Sequence, residues 1–159
     1  MEDVITEMFN AHYKAKVIVE EMARKVRERG ACLSSEEIGK LREAYDALSR
    51  LKINIFLAIR KSVPEQVMSR LYELVDEALR SVEDAIAEAE NERCNYLRLY
   101  QLLENASAAI DSMLALLIAA ASDYLGKRQP PGGRTIQGKW LAILALLGLG
   151  LAAAVLKKA

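Results

Sequence analysis

Apolar residues recur along the first 125 positions at the alternating three- and four-residue spacing that keeps one seam on one face of an α-helix. Ile5, Met8, His12, Ala15, Val19, Met22 and Val26 form the first seam, with His12 its only polar member and Gly30 its stop. The second opens on LSSEEI, where Ser34 is placed to cap a helix and Glu37 to reach back to the cap amide. Leu33 and Ile38 complete that start signal as a hydrophobic staple. Ile38, Leu41, Tyr45, Leu48, Ile55 and Ile59 carry this seam onward, with Lys52 the exception at a seam position and Leu51 available beside it. So short a link between two long amphipathic helices predicts an antiparallel hairpin.

Pro64 ends the second helix, because its ring and missing amide disfavour a helix interior. SVPE then predicts a third helix capped by Ser62, with Glu65 at its third position. Its buried side is Val67, Leu71, Leu74, Ala78, Val82, Ala85 and Ala89, shrinking toward the end, so that end buries less area and is expected to be the less stable one. No strong breaker comes after it until Gly126, and an unbroken helix would be roughly 90 Å long. A turn within AENERCN is therefore favoured, at Asn91 and Asn95, whose side chains compete for backbone hydrogen bonds. A fourth seam comes next: Tyr96, Leu99, Leu103, Ala106, Ile110, Met113, Leu117, Ala120 and Tyr124. The fold expected for residues 1–125 is all-α, with helices at about 3–29, 34–61, 63–90 and 95–125 paired as antiparallel hairpins in a three- to four-helix bundle.

The pattern changes after Gly126. Residues 126–139, GKRQPPGGRTIQGK, have the composition of a basic Pro/Gly linker. Residues 140–156 carry no charged side chain, and nine are Leu, Ile or Val. On an insertion scale those nine favour the bilayer by about −3 to −5 kcal/mol. A helix of this length spans roughly 25 Å, so Lys139 and Lys157 must snorkel to the headgroups. A soluble helix buried on one side shows a polar stripe, and this segment shows none. The expectation is a single transmembrane anchor, with Trp140 at the interface and Leu144, Leu147, Leu151 and Leu156 in lipid. MLALLIAAA, residues 113–121, raises a competing membrane hairpin, but Asp111 and Asp123 leave only 11 residues between them.

Charge sharpens the boundary. All 22 acidic residues and 16 of the 22 basic ones precede Gly126, so the first 125 positions carry −6 and the remainder +6. Lys127, Arg128, Arg134 and Lys139 precede the apolar run and Lys157 and Lys158 come after it, which predicts a cytoplasmic bundle and a tail-anchored, single-pass topology. The same interfacial cations are drawn to anionic headgroups. MEDVITEMF lacks the order of a secretory signal. Cys32 and Cys94 are read as ordinary thiols, with a bridge between them left open. An Arg excess over Lys and sparse Asn and Gln lean toward a thermophilic source.

Motifs that would carry chemistry are missing from the pattern. One histidine cannot build the paired Glu-x-x-His units of a di-iron bundle, and His12 reads as a seam or surface residue. Phosphate-binding glycine loops, HExxH and GxSxG do not occur. Asp111 is the only carboxylate beside an apolar seam, a thin basis for an enzyme. The basic residues Lys14, Lys16, Arg24, Lys25, Arg27 and Arg29 are interrupted by Glu20, Glu21 and Glu28, which disfavours nucleic acid. The most polar surface feature is the acidic run with Glu73, Asp76, Glu77, Glu83, Asp84 and Glu88. It either serves as a solvated face, docks a basic partner, or meets the basic side of the second helix, where Lys40, Arg42, Arg50, Lys52, Arg60 and Lys61 lie.

The function expected is non-catalytic: a membrane-anchored scaffold or interaction module that binds lipid and a protein partner or second copy, with no cofactor, metal or small-molecule substrate. The alternative is a subunit of a polymer such as a pilus or virion coat, using the apolar helix for packing. Architecture alone does not choose between them.

Overall fold

The computed structural model describes residues 2–128, and these form helices throughout, joined by short turns. The first rod, α1, is Glu2–Arg29. The second is continuous but not uniform: α2 (Ser35–Arg50) passes into a π turn at Leu51–Ile55, then α3 (Phe56–Ile59) and a closing 3₁₀ turn at Arg60–Ser62. The third and fourth rods are α4 (Glu65–Glu90) and α5 (Tyr96–Arg128).

Each rod packs on two others: α1 on α2 and α5, α4 on α2 and α5. The contacts close a ring around one core. Arg42 meets Glu90 and Lys52 meets Asp76, so residues rising along α2 oppose residues falling along α4. Both turns, 30–34 and 91–95, therefore lie at one end of the bundle, the turn end. Residues 60–65 and the last turn of α5 lie at the other, the exit end, where the 3₁₀ turn touches α5.

The seams become the core. Ile5, Met8, Ala15, Val19 and Val26 of α1 are fully buried, as are Leu99, Leu103, Ala106, Ile110, Met113 and Leu117 of α5. Tyr45 and Val67 are only half-buried, and Tyr96 is exposed at the first turn of α5, where its ring lies about 4 Å from the position a side chain on Gly30 would take. Gly30 itself has φ +59°, the left-handed conformation glycine adopts without strain, and its amide donates to Val26 O at 2.9 Å to close α1.

Local chemistry explains the ends. Ser34 and Glu37 make the reciprocal capping box: the Glu37 amide donates to Ser34 Oγ at 3.3 Å and the Ser34 amide to Glu37 Oε1 at 2.9 Å. Ser62 does not cap α4. It ends the 3₁₀ turn, and Pro64, extended at ψ 140°, is the residue from which α4 departs, its carbonyl accepting from the Met68 amide. At the other turn Asn91 Oδ1 accepts from the Arg93 amide, and Asn95 Oδ1 accepts from the Leu97 and Arg98 amides and starts α5. The π turn accounts for the charged residue at a seam position, Lys52. Its extra residue rotates the next stretch of helix by about 100°, so Leu51, Ile55, Phe56 and Ile59 are all buried while Lys52 points to Asp76. Phe56 meets Tyr72 of α4 edge to face, centroids 5.2 Å apart.

Cys32 and Cys94 form a disulfide, Cα atoms 6.4 Å apart, and are not the two separate thiols expected. Cys32 lies just past the stop of α1 and Cys94 sits in the turn before α5, so antiparallel pairing brings both to the turn end. That is the end where the core of α4 narrows to Ala85 and Ala89.

Candidate functional site

The acidic run lies on α4, whose inner face is held by Leu71, Leu74, Val75, Ala78 and Val82. Its carboxylates divide by the face the helix gives them. Asp76 is half-buried and bonds Lys52, and Glu88 is half-buried, accepting from the Asn95 amide at 2.8 Å and lying 3.5 Å from Arg98. Glu73 is exposed and pairs with Arg70 one turn back at 3.1 Å. Glu77, Glu83 and Asp84 are exposed. The six residues thus do two jobs: Asp76 and Glu88 stitch α4 to its neighbours, with Glu90 doing the same toward Arg42, while Glu73, Glu77, Glu83 and Asp84 face outward. Spacings of four and seven put Glu73, Glu77 and Asp84 on one line along the helix.

Among the described residues, the pKa values of Glu37 and His12 are pushed from their ordinary ranges, and both groups face the α1 side. Glu37 is buried, and its carboxyl is held down at about 2, first by the Ser34 amide and then by the Arg29 guanidinium, 2.9 Å away, and the Ser34 hydroxyl. Lys25 adds a second cation at 3.5 Å. His12 is buried in the α1 seam and its Nε2–H donates to Ile110 O at 2.8 Å. Burial pushes its pKa down, with Lys16 pushing the same way and the Ile110 carbonyl and Asp111 opposing. Asp111 lies on the surface, 3.6 Å from Lys16.

Among the described residues no group of three or more His, Cys, Asp or Glu is arranged to hold a metal ion. Two surface grooves run between α1 and α2. One is lined by Glu7, Asn10, Lys14, Asp46 and Arg50, the other by Glu21, Lys25, Arg29, Glu36 and Lys40. Both are shallow and carry mixed charge.

The anchor residues Trp140, Leu144, Leu147, Leu151 and Leu156, with Arg134, Lys139, Lys157 and Lys158, lie outside the described residues. Lys127 is exposed at the last turn of α5. By length and composition one helix among the described residues, Tyr96–Lys127, is long and apolar enough to cross a membrane, with mean hydropathy 1.5 in its most apolar window. Half of that window is buried against the other rods. Three exposed features among the described residues had no signal in the seams: Tyr13 with Val17 on α1, Ile53 in the π turn with Leu57 just after it, and Leu97 in the first turn of α5.

No protein-family model matches the chain, and no curated protein or solved structure matches it.

Proposed function

We propose that the protein is a membrane-anchored interaction module: an antiparallel four-helix bundle held at a bilayer by residues 140–156, with the acidic line on α4 offered to a basic partner. One observation supports this most. The described rods fill their own core, with Met8, Leu41, Leu48, Leu71, Leu103 and Ile110 fully buried, and the grooves between α1 and α2 place charged side chains beside Ile18, Met22 and Ile55. A further helix that is apolar on every face meets charge in both grooves, and lipid is the medium that accepts it without a polar stripe.

The flanking cations favour a cytoplasmic bundle. The Cys32–Cys94 bridge narrows the setting, because disulfides persist in oxidising compartments and, inside cells, in hyperthermophiles. A cytoplasm of the second kind satisfies both the bridge and the charge asymmetry.

Expression of the full chain beside a chain ending at Gly126 tests this reading. The full chain is expected in the membrane fraction, extractable by mild detergent, and the shorter one soluble, helical and cooperatively melting. An unfolded or insoluble shorter chain, or a full chain that stays soluble without lipid, overturns the anchor. A detergent-treated full chain that still sediments supports a polymer subunit instead.

A further inference from the structure

Residues 47–64 contain no acid, although 22 acidic residues are spread over the rest of the bundle. This stretch ends the second rod and reaches the exit end. Ile53 and Leu57, four residues apart, stand 58% exposed on its outer side. Arg50, Arg60 and Lys61 are exposed beside them, and none pairs with a carboxylate among the described residues. Leu57 lies about 8 Å along the rod from Ser62. From the same end, α5 carries the chain out past Lys127 toward the 17 uncharged residues at 140–156.

Large apolar side chains flanked by unpaired cations, on a helix edge next to a membrane span, match the chemistry of an interfacial surface. Its apolar groups sink into the headgroup boundary while Arg and Lys reach the phosphates. Glu65 and Asp123 lie at this end too, as do Glu2, Asp3 and Glu7 in the first two turns of α1, all of them on the other three rods. We propose that the bundle leans on the membrane along this edge, with Ile53 and Leu57 inserted among the headgroups of an anionic bilayer and Arg50, Arg60 and Lys61 bound to lipid phosphate. The proposal rests on the anchor reading and adds a second contact to it. Such a contact fixes the bundle's tilt, and with it the direction in which the acidic line of α4 faces.

The chain contains one tryptophan, Trp140, and this makes the two contacts separable. The full chain is reconstituted into vesicles of phosphatidylglycerol and phosphatidylcholine, with and without acyl chains brominated near the headgroup. Trp140 reports the anchor in the natural chain. Leu57→Trp in a Trp140→Phe background reports the edge, Ile53→Trp in the same background repeats it, and Leu97→Trp at the turn end is the control. Expected are quenching of the tryptophans at 140, 57 and 53 by about half and none at 97. Adding Arg60→Glu and Lys61→Glu, or raising salt, should release the tryptophan at 57 and leave Trp140 quenched. Quenching at 140 but not at 57 or 53 overturns the leaning edge and leaves the anchor standing. Quenching at none of the three overturns both. A blue-shifted tryptophan at 57 that brominated lipid does not quench shows the edge covered by a second copy, and equal quenching at 97 shows contact without orientation; either result overturns the proposal.

Discussion

Glu37 concentrates several interactions in one side chain, since the same carboxylate closes a capping box and faces Arg29 and Lys25 across the hairpin. Its folded pKa, about 2, is depressed from 4.5. The stability this contributes is therefore complete above pH 4.5 and is lost as pH falls through 2. Glu37→Ala is expected to cost about 1–2 kcal/mol at pH 7 in urea unfolding. The gap to the natural chain should shrink steadily between pH 4.5 and 2. His12 has the opposite chemistry and the same sign. Its folded pKa lies below 6.5, so the unfolded chain takes up a proton first and stability falls as pH drops below 6.5. His12→Leu removes that dependence, because Ile110 O loses only a supplementary donor. Urea titrations at about pH 7.5 and 5.5 should show the natural chain losing up to about 1.4 kcal/mol per pH unit in part of that interval and the variant nearly level. The spacing put His12 on the seam and left open whether it is buried or at the surface; its partner is a carbonyl 98 positions away, which only tertiary packing brings within reach.

At the scale of the element, periodicity located the rods because burial acts on every turn of a helix in the same way. It did not reveal the π turn, where a single inserted residue leaves the composition ordinary and shows only as a lysine at a seam position, Lys52. Ser62 misled for a related reason: Ser, Pro and Glu at that spacing satisfy the capping pattern, but the preceding 3₁₀ turn had already taken Ser62 into the end of the second rod. The acidic run was legible as a run, but its division was not. Whether a carboxylate on α4 meets Lys52 or water depends on the rotation of α4 against α2, which composition does not encode. The turn end has its own logic, since the alanine-lined stretch of α4 buries little area and the bridge, the capping box and the Glu88–Asn95 bond all gather there. Replacing both cysteines by serine, or reducing the bridge, is expected to lower unfolding stability by about 2–4 kcal/mol, given a sequence separation of 62. Denaturant midpoints with and without reductant measure it. A change under about 0.5 kcal/mol would mean that the small-residue end stands without the bridge.

For the whole molecule, the connectivity of the rods could be read from short links between long amphipathic segments, and the pairing of the cysteines could not. Cys32 and Cys94 are both turn residues at the same end, a coincidence visible only once antiparallel order is fixed. The bond between them turns residues 32–94 into a closed covalent loop from which α1 and α5 both hang, side by side, toward the exit end. A protease that nicks the chain anywhere between the two cysteines therefore releases no fragment. The products stay together on a non-reducing gel, and everything that comes after the cut remains fastened to everything that precedes it.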